Sequence, residues 1–276
     1  MIPQMKLVIL YCFIASLFIL NLEANPDSDY EKYGTAIFTS VTGNSSTFKN
    51  NTINQSIALH DSITIDSESS LTTGASDYVF FKLSNNSVFG LLENTQFKIQ
   101  SFKQESFQEK DIRLDREPSK SYFICELSEG TIAVKSNALS PLSTFEIHLP
   151  DSQLELHSAL CVISYRYNIL HIALYEGNIS LKTNDSITYI NAPSYYVIDA
   201  HSLNNSIDNF DAKLSEAPTR WNSFKDYIVI ENNRVIFFPD TTSSQSAAKP
   251  KLISSNDFFN QRFTRPRSFQ SLEEKE

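Results

Sequence analysis

In the stretch LELHSALCVISY, Leu154 to Tyr165, a histidine and a cysteine stand four residues apart, in a chain with five histidines and three cysteines. His157 and Cys161 have the residue types of a metal-ligand pair, or of a nucleophile with its base. The spacing argues against both. In a strand, residues four apart share a face but lie about 13 Å from one another, too far to hold one metal or pass one proton. A helix would bring them together, but CVISYRYNILHIALY downstream is β-branched and alternates as strands do. The same alternation places Leu170, Ile172 and Leu174 on one face and His171, Ala173 and Tyr175 on the other, which is expected to lie nearer solvent.

The remaining reactive types are dispersed. His60, His148, His157, His171 and His201 fall one per strand or loop, with no ligand spacing, so no metal site is expected. Asp61, Asp66, Glu68, Asp77, Glu93, Asp111 and Asp115 fall mostly in turns, where solvation is expected rather than a paired general acid and base. Gly-x-Ser-x-Gly, His-Glu-x-x-His, Cys-x-x-Cys, Walker and dinucleotide-glycine patterns do not occur. The sequence therefore predicts a non-enzyme without catalytic residues or a cofactor.

Between Thr35 and Ile198 the chain alternates with a period of two, in runs such as AIFTSV, SITI, YVFFKL, FKIQSF, YFICEL, TIAVK, STFEIHL, LHIALY, NISLKT and YYVI. TGN, SNNS, SEG, LPDS, YEGN and TNDS read as the turns between them. Twenty Phe and twelve Tyr against six Gly suit half-buried pleated surfaces. The expected fold is all-β, an elongated two-sheet sandwich or β-roll of many short strands over residues 35–200. In residues 201–238, Ile207, Phe210 and Leu214 suggest a short helix stopped by Pro218. YIVIENNRVIFF then suggests a hairpin turning at Asn232 and Asn233. Residues 239–276 read as a polar, disordered tail. Within it Phe258, Phe259, Arg262, Phe263, Arg265 and Arg267 combine the anchor types of a docking motif.

The N-terminus sets the compartment. Lys6 precedes LVILYCFIASLFIL, and LEA leads into polar NPDSDY, the pattern of a signal peptide over residues 1–24 cut after Ala24. The alternative is an uncleaved anchor, but the apolar run is shorter than the roughly 20 residues of a span, and no later segment could cross a membrane. Export to the periplasm or beyond would leave Cys125 and Cys161, either as two buried thiols or as a disulfide. Closing a loop of about 36 residues would contribute roughly 4 kcal/mol. The net charge of −9 argues against nucleic acid as a partner.

Landmarks recur in a recognisable order: Val41, Thr42 and Gly43; Thr73 and Gly74; Leu83 to Ser87; Leu91 to Thr95; and the Glu-Gly steps at Glu129, Gly130 and Glu176, Gly177. Over about Thr35 to Ile198 this set resembles the FecR domain, the periplasmic β-rich module of ferric-citrate-type signalling regulators. One departure is local: His157, Ser158, Ala159 and Cys161 stand where the family carries an Arg-Gly-Thr step and an aromatic. The resemblance implies a non-catalytic binding, scaffold or signalling-related protein of the cell envelope, whose partner would be another envelope protein or a polysaccharide. A β-scaffold hydrolase or lyase acting on envelope polysaccharide is the alternative.

Overall fold

The computed structural model describes residues 32–183, 186–199 and 214–253. The first strands are short: β1 (Lys32–Tyr33), β2 (Thr35–Thr42), β3 (Thr47–Lys49), β4 (Asn54–Ser56), β5 (Ser62–Thr64), β6 (Ser69–Thr72), β7 (Tyr78–Leu83) and β8 (Val88–Leu91). Longer strands follow: β9 (Gln96–Gln104), β10 (Ser121–Ser136), β11 (Thr144–Leu149), β12 (Ser152–Arg166) and β13 (Ile169–Lys182), then β14 (Ile187–Asn191) and β15 (Ser194–Asp199). A helix, α1 (Thr219–Glu231), and a small sheet of β16 (Val235–Pro239) with β17 (Ala248–Leu252) complete the described chain.

The class is all-β, as expected. Strands β1 to β15 belong to one hydrogen-bonded sheet whose main path is β14-β13-β12-β11-β10-β8-β7-β2-β5. That sheet curls so that a single face packs against itself. Phe89 of β8 meets the rings of Phe81, Phe97, Phe123 and Phe145 at centroid distances of 5.3, 5.3, 5.5 and 5.9 Å. Inward residues of every strand from β2 to β15 except the exposed β4 join this one cluster, and burial of aromatic surface on that scale is the main stabilising term of the fold.

Strict alternation breaks by one residue at five places among the described strands. The ladders skip Thr39 in β2, Gln100 in β9, Ser128 in β10, His157 in β12 and Tyr175 in β13. Each skipped residue is a β-bulge, which bends the strand and resets which parity faces inward. In β12, Leu154 and Leu156 face the core before the bulge, and Ala159, Cys161 and Ile163 after it.

The SEG and YEGN turns of the sequence reading are corrected by the same feature, because both lie inside continuous strands. Gly130 has φ +116° and Gly177 φ +81°, a conformation open to glycine at little cost. A Cβ on Gly130 would stand 2.5 Å from Thr95 Cα, and one on Gly177 would stand 1.7 Å from the Ser158 carbonyl oxygen. These residues let strands bend and touch. At Gly130, β10 exchanges β9 and β11 for β8 and β12 as its neighbours.

Outside the core lies a second layer. α1 places Trp221 and Ile228, seven residues apart and so on one helical face, against Phe80, Val88, Ala133, Leu160, Val162, Ala173 and Tyr195. The His171 face expected nearer solvent is therefore the face that this layer covers: Ala173 is buried, and His171 and Tyr175 are half-buried.

The C-terminal reading changes too. Leu214 lies in a 3-10 turn (Leu214–Glu216), Pro218 caps the start of α1 instead of ending a helix, and Ile207 and Phe210 lie outside the described residues. Proline fits a helix start, where its missing N–H costs no intrahelical bond. YIVIE is the last part of α1, and Asn232 has right-handed φ −57°, so no hairpin turns there. The partner of β16 is β17, from the segment read as a disordered tail. Docking on the sheet overrides the β-branched preference of the run, and Val235, Phe237 and Ala248 bury against Ile37 and Phe107.

Candidate functional site

The reactive pair of the opening stretch is not brought together. His157 is exposed on its bulge, whereas Cys161 is buried in the core. Cys125 and Cys161 are free thiols, which corrects the disulfide alternative. Cys161 pairs with Val134 of β10, nine positions along the strand from Cys125, and nine residues of strand span roughly 30 Å. Burial pushes the Cys161 thiol up to about 12 and that of Cys125 well above the ordinary range. Neither is a thiolate nucleophile at neutral pH. His148 pairs with Glu146 at 2.9 Å, and His171 Nδ1 meets the Tyr195 hydroxyl at 2.9 Å. No three metal-ligating side chains cluster among the described residues. His201 and the six Phe and Arg residues of the docking motif lie outside them.

The family-like landmarks act together as joints between strands. Asp77, only 5 % exposed and so not a solvated turn acid, accepts bonds from the Ser45 N–H and hydroxyl at 2.9 and 2.6 Å and from the Ser46 hydroxyl at 3.1 Å. The Ser45 hydroxyl is the main cause that holds its carboxyl below the usual range. Gly43 and Gly74 leave the space for this joint, since a Cβ on either would collide with Asp77 or Ser45. A hydroxyl ladder lies beyond it. Thr73 Oγ1 donates to the Leu92 carbonyl and accepts from the Thr95 N–H at 3.0 Å. Thr95 Oγ1 accepts from the Thr131 N–H at 3.0 Å, and the Thr131 and Ser164 hydroxyls meet at 2.8 Å. Gly130 lets β10 approach Thr95, so the Leu-to-Thr step and the first Glu-Gly step are two sides of one contact.

A second polar network fixes the loop before β10. Asn86, at φ +65°, donates to the carbonyls of Arg113 and Arg116 at 2.6 and 2.9 Å. Asn137 donates to those of Asn86 and Leu114, both at 2.9 Å. Glu117, 3 % exposed, accepts from the hydroxyls of Ser121 and Ser143 and from the Ser140 N–H. Desolvation outweighs those donors and raises its pKa. Sequence reasoning missed this carboxylate; its signal was the set of serines around it, Ser119, Ser121, Ser140 and Ser143.

This network forms one wall of an open cleft of about 450 Å³. Leu114 and Asp115 form that wall, Val229, Asn232 and Asn233 at the end of α1 form the facing one, and Lys135, Ser136, Ser158 and Ala159 form the floor. Glu176 joins from the bulged stretch of β13. Asn232 is 6 % exposed, and its Oδ1 has no hydrogen-bond partner. The helix end is held from below by Lys82, which is fully buried and donates to the carbonyls of Asn232 and Val235 at 2.6 and 2.9 Å. Desolvation lowers its pKa to about 7. Lys82 is the charged residue of the YVFFKL strand. What the sequence does not show is the helix that covers it.

The second exposed feature is a sheet edge. Among the described strands β14 pairs only with β13. It presents Ile187 and Tyr189 at 56 % and 73 % exposure, whereas Ile190 points into the core.

No protein-family model and no curated protein matches the sequence. Two solved structures from Parabacteroides distasonis, both provisionally assigned as anti-sigma factors, are similar in part. One aligns with a TM-score of 0.42 and 10% identity over 70% of this chain and 89% of that one. The other aligns with a TM-score of 0.38 and 9% identity over 48% of this chain and 55% of that one, so this chain spans about half its length. Likeness at this level carries no inference about activity or partners.

Proposed function

We propose that this chain is an exported, non-catalytic binding module of the cell envelope that takes up an extended polypeptide segment of another envelope protein along β14. The reading keeps the FecR-like, signalling-related role implied by the sequence landmarks. The observation that carries it is the open edge of β14. An unpaired edge offers a row of main-chain donors and acceptors to an incoming strand, and its exposed side chains supply the specificity. Ile187 and Tyr189 are apolar, adjacent on one side of the strand and exposed, and neither is needed to fill the core. Natural edges that avoid pairing carry lysine or proline instead.

The test places a photo-crosslinking residue at Tyr189 in the full chain, expressed in cells with its native N-terminus, and identifies captured envelope proteins by mass spectrometry. A discrete partner that disappears when Ile187 and Thr188 are both changed to Lys supports the reading. A labelling pattern unchanged by those substitutions, or spread over abundant envelope proteins in proportion to their amount, overturns it.

A further inference from the structure

The last described residue of the chain, Ile253, lies at the rim of the cleft. β17 runs antiparallel to β16 with Leu252 opposite Val235, and the Ile253 N–H donates to the Arg234 carbonyl at 2.9 Å. Arg234 directly follows Asn232 and Asn233, which line the cleft. Ile253, the residue before the 254–276 stretch of the sequence, is thus beside that wall. Arg262 follows Ile253 by nine residues, a reach of up to roughly 30 Å, and FFNQRFTRPRSF between Phe258 and Phe269 carries three arginines and no acid.

The cleft complements that charge. Asp115 and Glu176 are exposed carboxylates on two sides of it, and Lys135 is the one cation among the lining residues, with Arg113, Arg116 and Arg234 placed just outside them. The C-terminal end of α1 forms a wall, and a helix C-terminus carries partial negative charge. Leu114, Ala138 and Val229 supply apolar surface for an aromatic ring. The loop wall is pinned through Asn86 and Asn137 and the helix wall through Lys82, so both walls are built before any occupant arrives. A preformed cleft spares the occupant the cost of ordering its site.

We infer that the Phe-Arg segment of this same chain, Phe258 to Phe269, docks in the cleft between the 112–116 loop and the end of α1, with its arginines directed at Asp115 and Glu176. The segment is a cis ligand, and any other protein that binds the cleft must displace it. This surface is separate from the β14 edge, so either proposal can fail alone.

The test uses the full chain with a photo-crosslinking residue in place of Phe263, irradiated at low protein concentration. The expected product is an internally linked monomer whose linked peptides contain residues from 114–115, 135–138, 158–159 or 229–233. Asp115→Lys with Glu176→Lys changes two exposed side chains and should cut that product about five-fold, the size expected for two surface ion pairs. Adding Arg262→Glu and Arg265→Glu should restore it. Links to other surfaces, a yield indifferent to the charge reversals, or a product of two joined chains in place of the monomer each overturn the cis assignment.

Discussion

The two faces of the curled sheet are built on different terms. The inner face is a continuous apolar cluster in which Phe rings meet edge-on or stacked and the buried hydroxyls at its margin are paired. The outer face, under α1, mixes Trp221, Tyr195, His171 and Tyr175 with the buried ammonium of Lys82. Of the five buried side-chain polar atoms without a partner among the described residues, four belong to Tyr175, Trp221, Glu231 and Asn232, in or beneath α1, and the fifth is the Ser87 hydroxyl. An unmet buried polar group costs about 1–3 kcal/mol. The inner face therefore supplies the stability, and the outer layer is held with less margin, on the side that carries the cleft.

The sharpest way to break this contrast is to empty the inner face. Phe89→Ala should lose about 3–5 kcal/mol in denaturant unfolding, because the cavity it leaves is surrounded by four other rings. A loss below that of outer-face variants would refute the division. Next comes Lys82→Ala, which strips the donor from two buried carbonyls at the end of α1 and should cost about 2–4 kcal/mol. In hydrogen exchange the loss should appear first in α1 and β16.

The same lysine gives the outer layer a pH signature. Its folded pKa, pushed down to about 7, lies below its unfolded value of 10.5. The unfolded chain therefore binds the extra proton between those values, and stability rises with pH across that window. The stability difference between the native chain and Lys82→Met should grow from pH 7 to pH 10, and a flat difference would remove the lysine as its source. Burial lowers the pKa of His171 from 6.5 in the same sense, so its contribution is complete above pH 6.5 and is lost as pH falls below that value. His171→Phe should flatten the acid side of the profile.

Breaking the hydroxyl ladder with Thr131→Val should cost about 0.5–1.5 kcal/mol, since it removes the bond between the two hydroxyls while Ser164 keeps the Gly130 carbonyl as its acceptor. The smallest effect is expected for Trp221→Phe. It removes an unpartnered N–H along with some ring area, and should stay within about 1 kcal/mol of the native chain.

The inner face was legible in the sequence because alternation and aromatic runs are a direct projection of a half-buried sheet. YVFFKL is β7 residue for residue, and STFEIHL gives β11 to within one position. The Glu-Gly steps were visible but misread, because glycine with a positive φ serves a turn and a bulge equally well. The outer layer was hidden for another reason. YIVI alternates acceptably as a strand, and only contact with Phe80 and Leu160 makes it the end of a helix. The cleft was least legible of all. Its walls come from residues 114–115 and 229–233, brought together by a fold that no local pattern encodes.

The skipped residues also give the sheet slack against changes in chain length. Removing His157 would leave Leu156 and Ala159 on their present sides and their β13 partners in step, so β12 would lose a bend and keep its pairing. Removing Ile163, in a stretch with no spare residue, would turn every upstream or every downstream side chain of that strand to the wrong face. Two deletions of equal size, six positions apart, should therefore give a folded protein in one case and an unfolded one in the other.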